Sequence, residues 1–258
     1  MSVSAEFLDQ SEAALKAVVQ EFRPRLLAAS GNIENEMKSD NTPVTQLDLE
    51  VESAVRAALL AVDPAVGLEG EEHGIEGSRE RFWLIDPIDG TEQFLRGIPA
   101  YRCMATLVSD DELQYTFVYD FASGDTYTAR KDGGSYRNGK PVKLSRRPFE
   151  RALIEFTANL ALPETLQLIP VIRQQTRGVR MSGYFTNTLE GKFEGHLYYK
   201  ASGSTWDWTP WALLIKEAGG KVANFGSDSY DYKNPNFLAA TPAVFDSLKP
   251  IIDEALAA

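Results

Sequence analysis

Apolar residues recur at three- and four-residue steps through residues 4–30, at Phe7, Leu8, Leu15, Val18, Val19, Phe22, Leu26 and Leu27. That spacing lays one apolar stripe along a helix, with Ser4 as its N-cap and Pro24 as a point of kinking. A loop of Ser39-Asp40-Asn41-Thr42-Pro43 follows. Thr45 then caps a second helix, in which Leu47, Val51, Val55 and Leu59 fall four residues apart. The pattern changes at residues 82–85, a continuous apolar run that predicts a buried strand. Residues 102–109 and 113–121 predict two more strands across a polar turn at Asp110-Asp111-Glu112, and 125–130 a third. Turns are expected at Asp132-Gly133-Gly134 and Asn138-Gly139-Lys140-Pro141.

Beyond a seam at residues 148–151, strand and helix patterns alternate. Strands are expected at 152–157, 176–181, 195–200, 221–223 and 237–240, and helices at 164–174, 184–190, 206–218 and 243–257. The reading is an N-terminal α+β half over residues 1–148 and a C-terminal α/β half over 149–258, forming one unit with layered α/β packing.

Composition narrows the functional classes. With 26 basic and 37 acidic residues among 258, the formal charge is −11, which disfavours nucleic acid and anionic membranes as partners. No apolar segment approaches membrane-spanning length, and the N-terminus lacks the basic-then-apolar pattern of a signal peptide. The single cysteine, Cys103, excludes an intrachain disulfide and sits in an apolar run as a small core residue. A cytoplasmic protein is expected.

The chemistry centres on residues 82–101. The apolar run ends on two carboxylates, Asp86 and Asp89, separated by Pro87 and Ile88. Pro87 fixes its own φ and biases Asp86 toward an extended conformation. Gly90 permits a tight turn, and residues 91–95 open a helix. Helix N-termini attract anions, whereas paired carboxylates repel them. The two belong together if divalent cations bridge the acids and a bound phosphate; the simpler alternative makes Asp89 only a helix cap. Upstream, Gly70-Glu71-Glu72-His73-Gly74 also follows an apolar stretch, and downstream Trp206-Asp207-Trp208 opens a helix, where Asp207 by itself reads as an N-cap.

Together, Gly70-Glu71-Glu72, Asp86-Pro87-Ile88-Asp89-Gly90-Thr91 and Trp206-Asp207 resemble the inositol monophosphatase family of Mg²⁺-dependent, lithium-sensitive phosphatases. Its superfamily also includes fructose-1,6-bisphosphatases, 3′-phosphoadenosine-5′-phosphate phosphatases and a class of histidinol phosphatases. The resemblance spans nearly the whole chain and implies a five-layer αβαβα sandwich, two or three Mg²⁺ ions per site and, often, a homodimer. It implies a first metal on Glu71, Asp86 and the carbonyl of Ile88, and a second on Asp86, Asp89 and Asp207. Glu71 and the Thr91 hydroxyl would orient the attacking water, and Gly90 and Thr91 would hold the phosphate, with Asp89 and Asp207 also facing the substrate. Lys38, Asp40 and Asp48 resemble the family's element over the metals, linked to a third cation and to water activation. Oxygen-only coordination leaves His73 and His196 outside the ligand set.

The resemblance thins in the second half. Lys200 stands where inositol phosphatases carry a glutamate for substrate hydroxyls, and a lysine donates hydrogen bonds and favours an anion. Tyr184, after Ser182-Gly183, is bulkier than the small residue expected of the inositol branch. The expected substrate is inositol monophosphate or a related sugar phosphate. Behind it come 3′-phosphoadenosine-5′-phosphate or fructose bisphosphate, then histidinol phosphate. The non-enzymatic alternative is a silent regulator that binds phosphorylated metabolites.

Overall fold

The computed structural model describes residues 3–39, 41–181 and 185–257, which gather into two compact units, Met1–Ala129 and Arg130–Ala258. Asp40 and Tyr184 lie outside the described residues. The first unit opens with helix α1 (Ala5–Ala29), where the Ser4 hydroxyl accepts from the Phe7 N–H as the sequence predicts. On either side of the loop expected at residues 39–43, β1 (Glu36–Met37) and β2 (Pro43–Val44) pair as a short antiparallel hairpin. Helix α2 (Gln46–Val62) starts on a capping box in which Thr45 and Asp48 satisfy each other's backbone N–H groups.

Then follow β3 (Gly67–Gly70), β4 (Gly74–Glu76), β5 (Arg81–Asp89), the short helix α3 (Thr91–Leu95), β6 (Arg102–Ser109), β7 (Glu112–Asp120) and β8 (Thr126–Arg130). The strands lie side by side in the order β8–β7–β6–β5–β3–β4. β5 runs parallel to β3 and antiparallel to β6. Alternate residues of one sheet face, Trp83, Ile85, Cys103, Ala105, Tyr115 and Phe117, join the apolar stripes of α1 and α2 in one core. Leu15, Val19 and Leu26 of α1 and Val51 and Val55 of α2 are fully buried there, which accounts for the periodicity seen in the sequence.

In the second unit β9 (Gly134–Arg137) and β10 (Lys140–Pro141) form a hairpin, and a 3₁₀ turn covers Phe149–Arg151. The chain continues through β11 (Leu153–Ala158), α4 (Pro163–Gln175), β12 (Gly178–Met181), α5 (Thr186–Leu189), β13 (Gly195–Tyr199), α6 (Thr205–Glu217), β14 (Lys221–Asn224), β15 (Phe237–Ala240) and α7 (Pro242–Ala257). Five of these strands make a sheet of order β12–β11–β13–β15–β14, parallel from β12 to β13 and antiparallel beyond. One face buries Ile154, Phe156, Leu197 and Leu238 against Leu168 and Ile172 of α4 and Val244 and Leu248 of α7. The other carries His196, Tyr198 and Phe237 in an aromatic stack with Phe185, continued by Trp208 and Trp211 of α6. His196, fully buried and 3.5 Å centroid to centroid from Phe185, is a packing residue.

Candidate active site

In a regular strand, residues three apart point to opposite faces. Asp86 pairs with Met104 and Asp89 with Arg102, so three steps on β5 oppose two on β6. This bulge resets the alternation, and a carboxylate oxygen of Asp86 lies within 4.8 Å of one of Asp89. It also explains how Pro87 fits a central strand, since a ladder hydrogen bond is already given up there. Gly90 then turns the chain at φ +91°, where a Cβ would stand 2.4 Å from the Ala100 carbonyl oxygen; only glycine fits. Asp86 is buried. Asp89 is held above the usual carboxylate range by burial, helped by repulsion from Glu71 and Asp120 and opposed by the Arg102 guanidinium.

Three further elements of the first unit bring in the other acids. Lys38, at the end of β1, donates to Glu71 Oε1 at 2.8 Å and Glu72 Oε1 at 2.6 Å. Burial lowers the Lys38 pKa, but the hydrogen bonds and charges of both glutamates more than offset this and leave it raised. Burial pushes Glu72 up to about 7, with Glu71 adding to the rise and Lys38 opposing it. Asp48, in the first turn of α2, accepts from the Thr45 N–H and hydroxyl at 2.8 and 2.5 Å and from the Thr91 hydroxyl at 3.2 Å. Burial raises its pKa against those hydrogen bonds. The Thr91 hydroxyl also lies 3.1 Å from the Ile88 carbonyl oxygen. A single frame therefore ties Asp48, Thr91 and Ile88 together, and a second ties Lys38 to Glu71.

Asp207 belongs to the second unit. It is not the N-cap of α6: Ser204 caps the helix, and Asp207 at the third helical position accepts from the Ser204 N–H to complete a capping box. Lys200 follows β13 with φ +46°. Its ammonium donates to Glu164 Oε1 at 2.8 Å in an exposed pair, a partner 36 residues away that the sequence could not nominate.

Two buried residues went unread in the sequence. Arg102 heads β6 with 5% of its side chain exposed, 3.2 Å from Asp89 Oδ2 and 3.4 Å from Asp120 Oδ2; a charge opening an apolar run was the available signal. Glu52, fully buried on α2, accepts from the Glu72 N–H at 2.7 Å and the His73 N–H at 3.1 Å. Its signal was a charged series at four-residue steps, Asp48, Glu52 and Arg56, one position beyond the apolar stripe.

The oxygen donors of the first unit, Glu71, Asp86, Asp89 and the Ile88 carbonyl, are partly buried, and Glu71 and Asp89 repel each other, which suits a hard divalent cation far better than a soft metal. Such a grouping beside a conformationally forced glycine turn fits a metal-assisted phosphoryl site. The sequence model of the inositol monophosphatase family matches residues 4–257, and the chain belongs to that family. It is accordingly a hydrolase, a metal-activated phosphomonoesterase acting on a small phosphate metabolite. "Nus factor SuhB" of Pseudomonas aeruginosa is 30% identical over 220 residues, 80% of each chain. A histidinol-phosphatase of Chlorobaculum parvum is 32% identical over 195 residues, covering 71% of this chain and 73% of the relative. Among solved structures, Thermotoga maritima IMPase matches with a TM-score of 0.82 at 23% identity, over 97% of this chain and 98% of that one. That likeness establishes the mixed α/β fold of the family. Among the described residues, no helix is long and apolar enough to cross a membrane.

Proposed function

We propose that the chain hydrolyses inositol monophosphate or a related sugar monophosphate. Glu71, Asp86, Asp89, Asp207 and the Ile88 carbonyl would hold two or three Mg²⁺ ions. The observation that carries this reading is the hydrogen-bonded frame around Thr91. Its hydroxyl is within reach of both Asp48 and the Ile88 carbonyl, so its proton is committed and its lone pairs are left to accept a hydrogen bond from a water. Bound Mg²⁺ would supply a more acidic water and neutralise charge at the leaving oxygen.

The chain's own residues do the rest. Glu71 accepts a proton from the same water and keeps it oriented, while Lys38 fixes the rotamer of the Glu71 carboxylate. The turn at Gly90 and Thr91 offers backbone N–H groups to phosphate oxygens, as in the family. Asp207, whose Oδ2 accepts from the Ser204 N–H in the cap of α6, would supply a further oxygen ligand. A catalytically silent regulator would be free to lose at least one of Glu71, Asp86, Asp89, Thr91 and Asp207.

For substrate, the Lys200 ammonium is already paired with Glu164 and is not held in reserve for a second anionic group, which supports a monophosphate over a bisphosphate. The buried Cys103 and acidic charge support a cytoplasmic setting without nucleic acid as ligand, and the family supports a homodimer. Phosphate release in Mg²⁺ from inositol 1-phosphate, fructose 1,6-bisphosphate, 3′-phosphoadenosine-5′-phosphate and histidinol phosphate tests the assignment. The highest kcat/KM is expected on the polyol or sugar monophosphate; a preference for histidinol phosphate would overturn it.

A further inference from the structure

Asp48, Glu52 and Arg56 stand at successive four-residue steps on α2, and their exposures are only 1%, 0% and 8%. The role of Asp48 is accounted for by its cap and by Thr91. Glu52 and Arg56 touch no proposed metal ligand side chain, yet burying such a pair in place of apolar residues does not by itself stabilise a fold. Their partners say what they do. Glu52 Oε2 accepts from the Glu72 N–H at 2.7 Å and Oε1 from the His73 N–H at 3.1 Å. Arg56 lies 3.3 Å from Glu52 Oε1, donates to the Gly74 carbonyl at 3.2 Å and reaches Glu76 Oε2 at 2.9 Å. The turn between β3 and β4 is therefore held from inside by the carboxylate and from its far end by the guanidinium. Gly70 completes the fit, because a Cβ there would stand 2.0 Å from Glu52 Oε1.

One helix face thus grips both parts of the water-orienting apparatus. Asp48 fixes Thr91, and about one turn along, roughly 6 Å, Glu52 fixes the backbone that carries Glu71. We propose that Glu52, backed by Arg56, is a positioning residue that sets where the Glu71 carboxylate stands relative to Asp48 and Thr91. This rests on the phosphatase reading above. A metal ligand on a turn whose backbone N–H groups lose their acceptor samples other positions, and second-layer partners of this kind typically govern metal affinity by about ten- to a hundredfold.

The test uses the full chain, stripped of metal, with Mn²⁺ as a spectroscopically visible probe titrated well below the unfolding temperature. Glu52→Gln keeps the volume but turns an NH₂ group toward a backbone N–H donor, so one of the two turn N–H groups loses its acceptor. Mn²⁺ affinity should fall by about ten- to a hundredfold. Gly70→Ala, whose methyl group takes the space of the Glu52 carboxylate, is the second variant and should give the same loss by an independent route. Leu15→Ala, a core truncation in α1, lowers the melting temperature and should leave Mn²⁺ affinity unchanged. Wild-type affinity in folded Glu52→Gln or Gly70→Ala overturns the positioning role, as does an equal loss in Leu15→Ala. A wild type that binds no Mn²⁺ overturns the phosphatase reading and the positioning role together.

Discussion

Replacing Arg102 by leucine keeps most of the buried volume and removes the cation between Asp89 and Asp120. Breaking a fully buried ion pair costs about 3–5 kcal/mol, because the remaining charge is stranded. Here Asp89 and Asp120 retain 25% and 12% of their side-chain exposure, so water screens the loss and about 2–3 kcal/mol is the better figure. At about 2–4 °C per kcal/mol for a chain of this size, the metal-free variant should melt about 4–12 °C below wild type. Mg²⁺ should narrow that gap, because a cation bound at Asp89 replaces part of the lost charge, whereas wild type gains less from it. A ligand at a hundred times its dissociation constant adds about 2.7 kcal/mol, enough to offset most of the deficit if the variant binds more tightly. Far-UV circular dichroism melts of both proteins in chelator and in saturating Mg²⁺ make the comparison. Equal melting temperatures in chelator, or a gap that Mg²⁺ leaves untouched, would refute the role given to Arg102.

Thr91→Ala should lower kcat by about a hundred- to ten-thousandfold, the range for groups positioned for proton transfer, while Mg²⁺ affinity by calorimetry stays near wild type; matching losses in both would place Thr91 among the structural supports of the metals. Asp89→Asn should fold with wild-type circular dichroism yet lose most of its turnover, since a neutral amide replaces an anionic ligand; an unfolded product would mark the acid as structural. His196 is buried with its pKa lowered by desolvation, against the pull of Glu155. Its neutral form therefore belongs to the folded state, and its stabilising effect is complete above the unfolded pKa of about 6.5. That effect is lost as pH falls below this value, by at most about 2 kcal/mol at pH 5. Urea melts at pH 7 and pH 5 should show a smaller acid loss in His196→Gln than in wild type, and identical losses would remove His196 from the acid response.

The elements were legible wherever periodicity and local chemistry coincide. Ser4, Thr45 and the stripes of α1 and α2 stand where the spacing put them, because caps and amphipathic faces are set within a few residues. The short pairings β1–β2 and β3–β4 were not, since strands of two to four residues carry too little alternation to read. Asp86 and Asp89 were visible as a pair, but a sequence separation of three implies opposite faces in a strand. The bulge that reconciles them comes from the register with Met104 and Arg102, which a single segment does not encode. Glu52 was hidden differently. A charged stripe beside an apolar one looks like the solvated side of a helix until the β3–β4 turn covers it. Lys200 suggested a substrate contact because it stands where the inositol branch carries a glutamate; its ion-pair partner Glu164 lies on α4, 36 residues away in sequence.

Hydrolysis of a phosphate monoester by this chain should depend on Mg²⁺ bound at the Asp86–Asp89 carboxylates. The most direct measurement is inorganic phosphate released from inositol 1-phosphate by protein freed of metal, with metal removal checked by elemental analysis, and then by the same sample after Mg²⁺ is restored. No release should occur without metal, full release should return with Mg²⁺, and Ca²⁺, which prefers larger and looser coordination, should compete without supporting turnover. Undiminished release from the metal-free protein would rule out metal-dependent hydrolysis at these carboxylates.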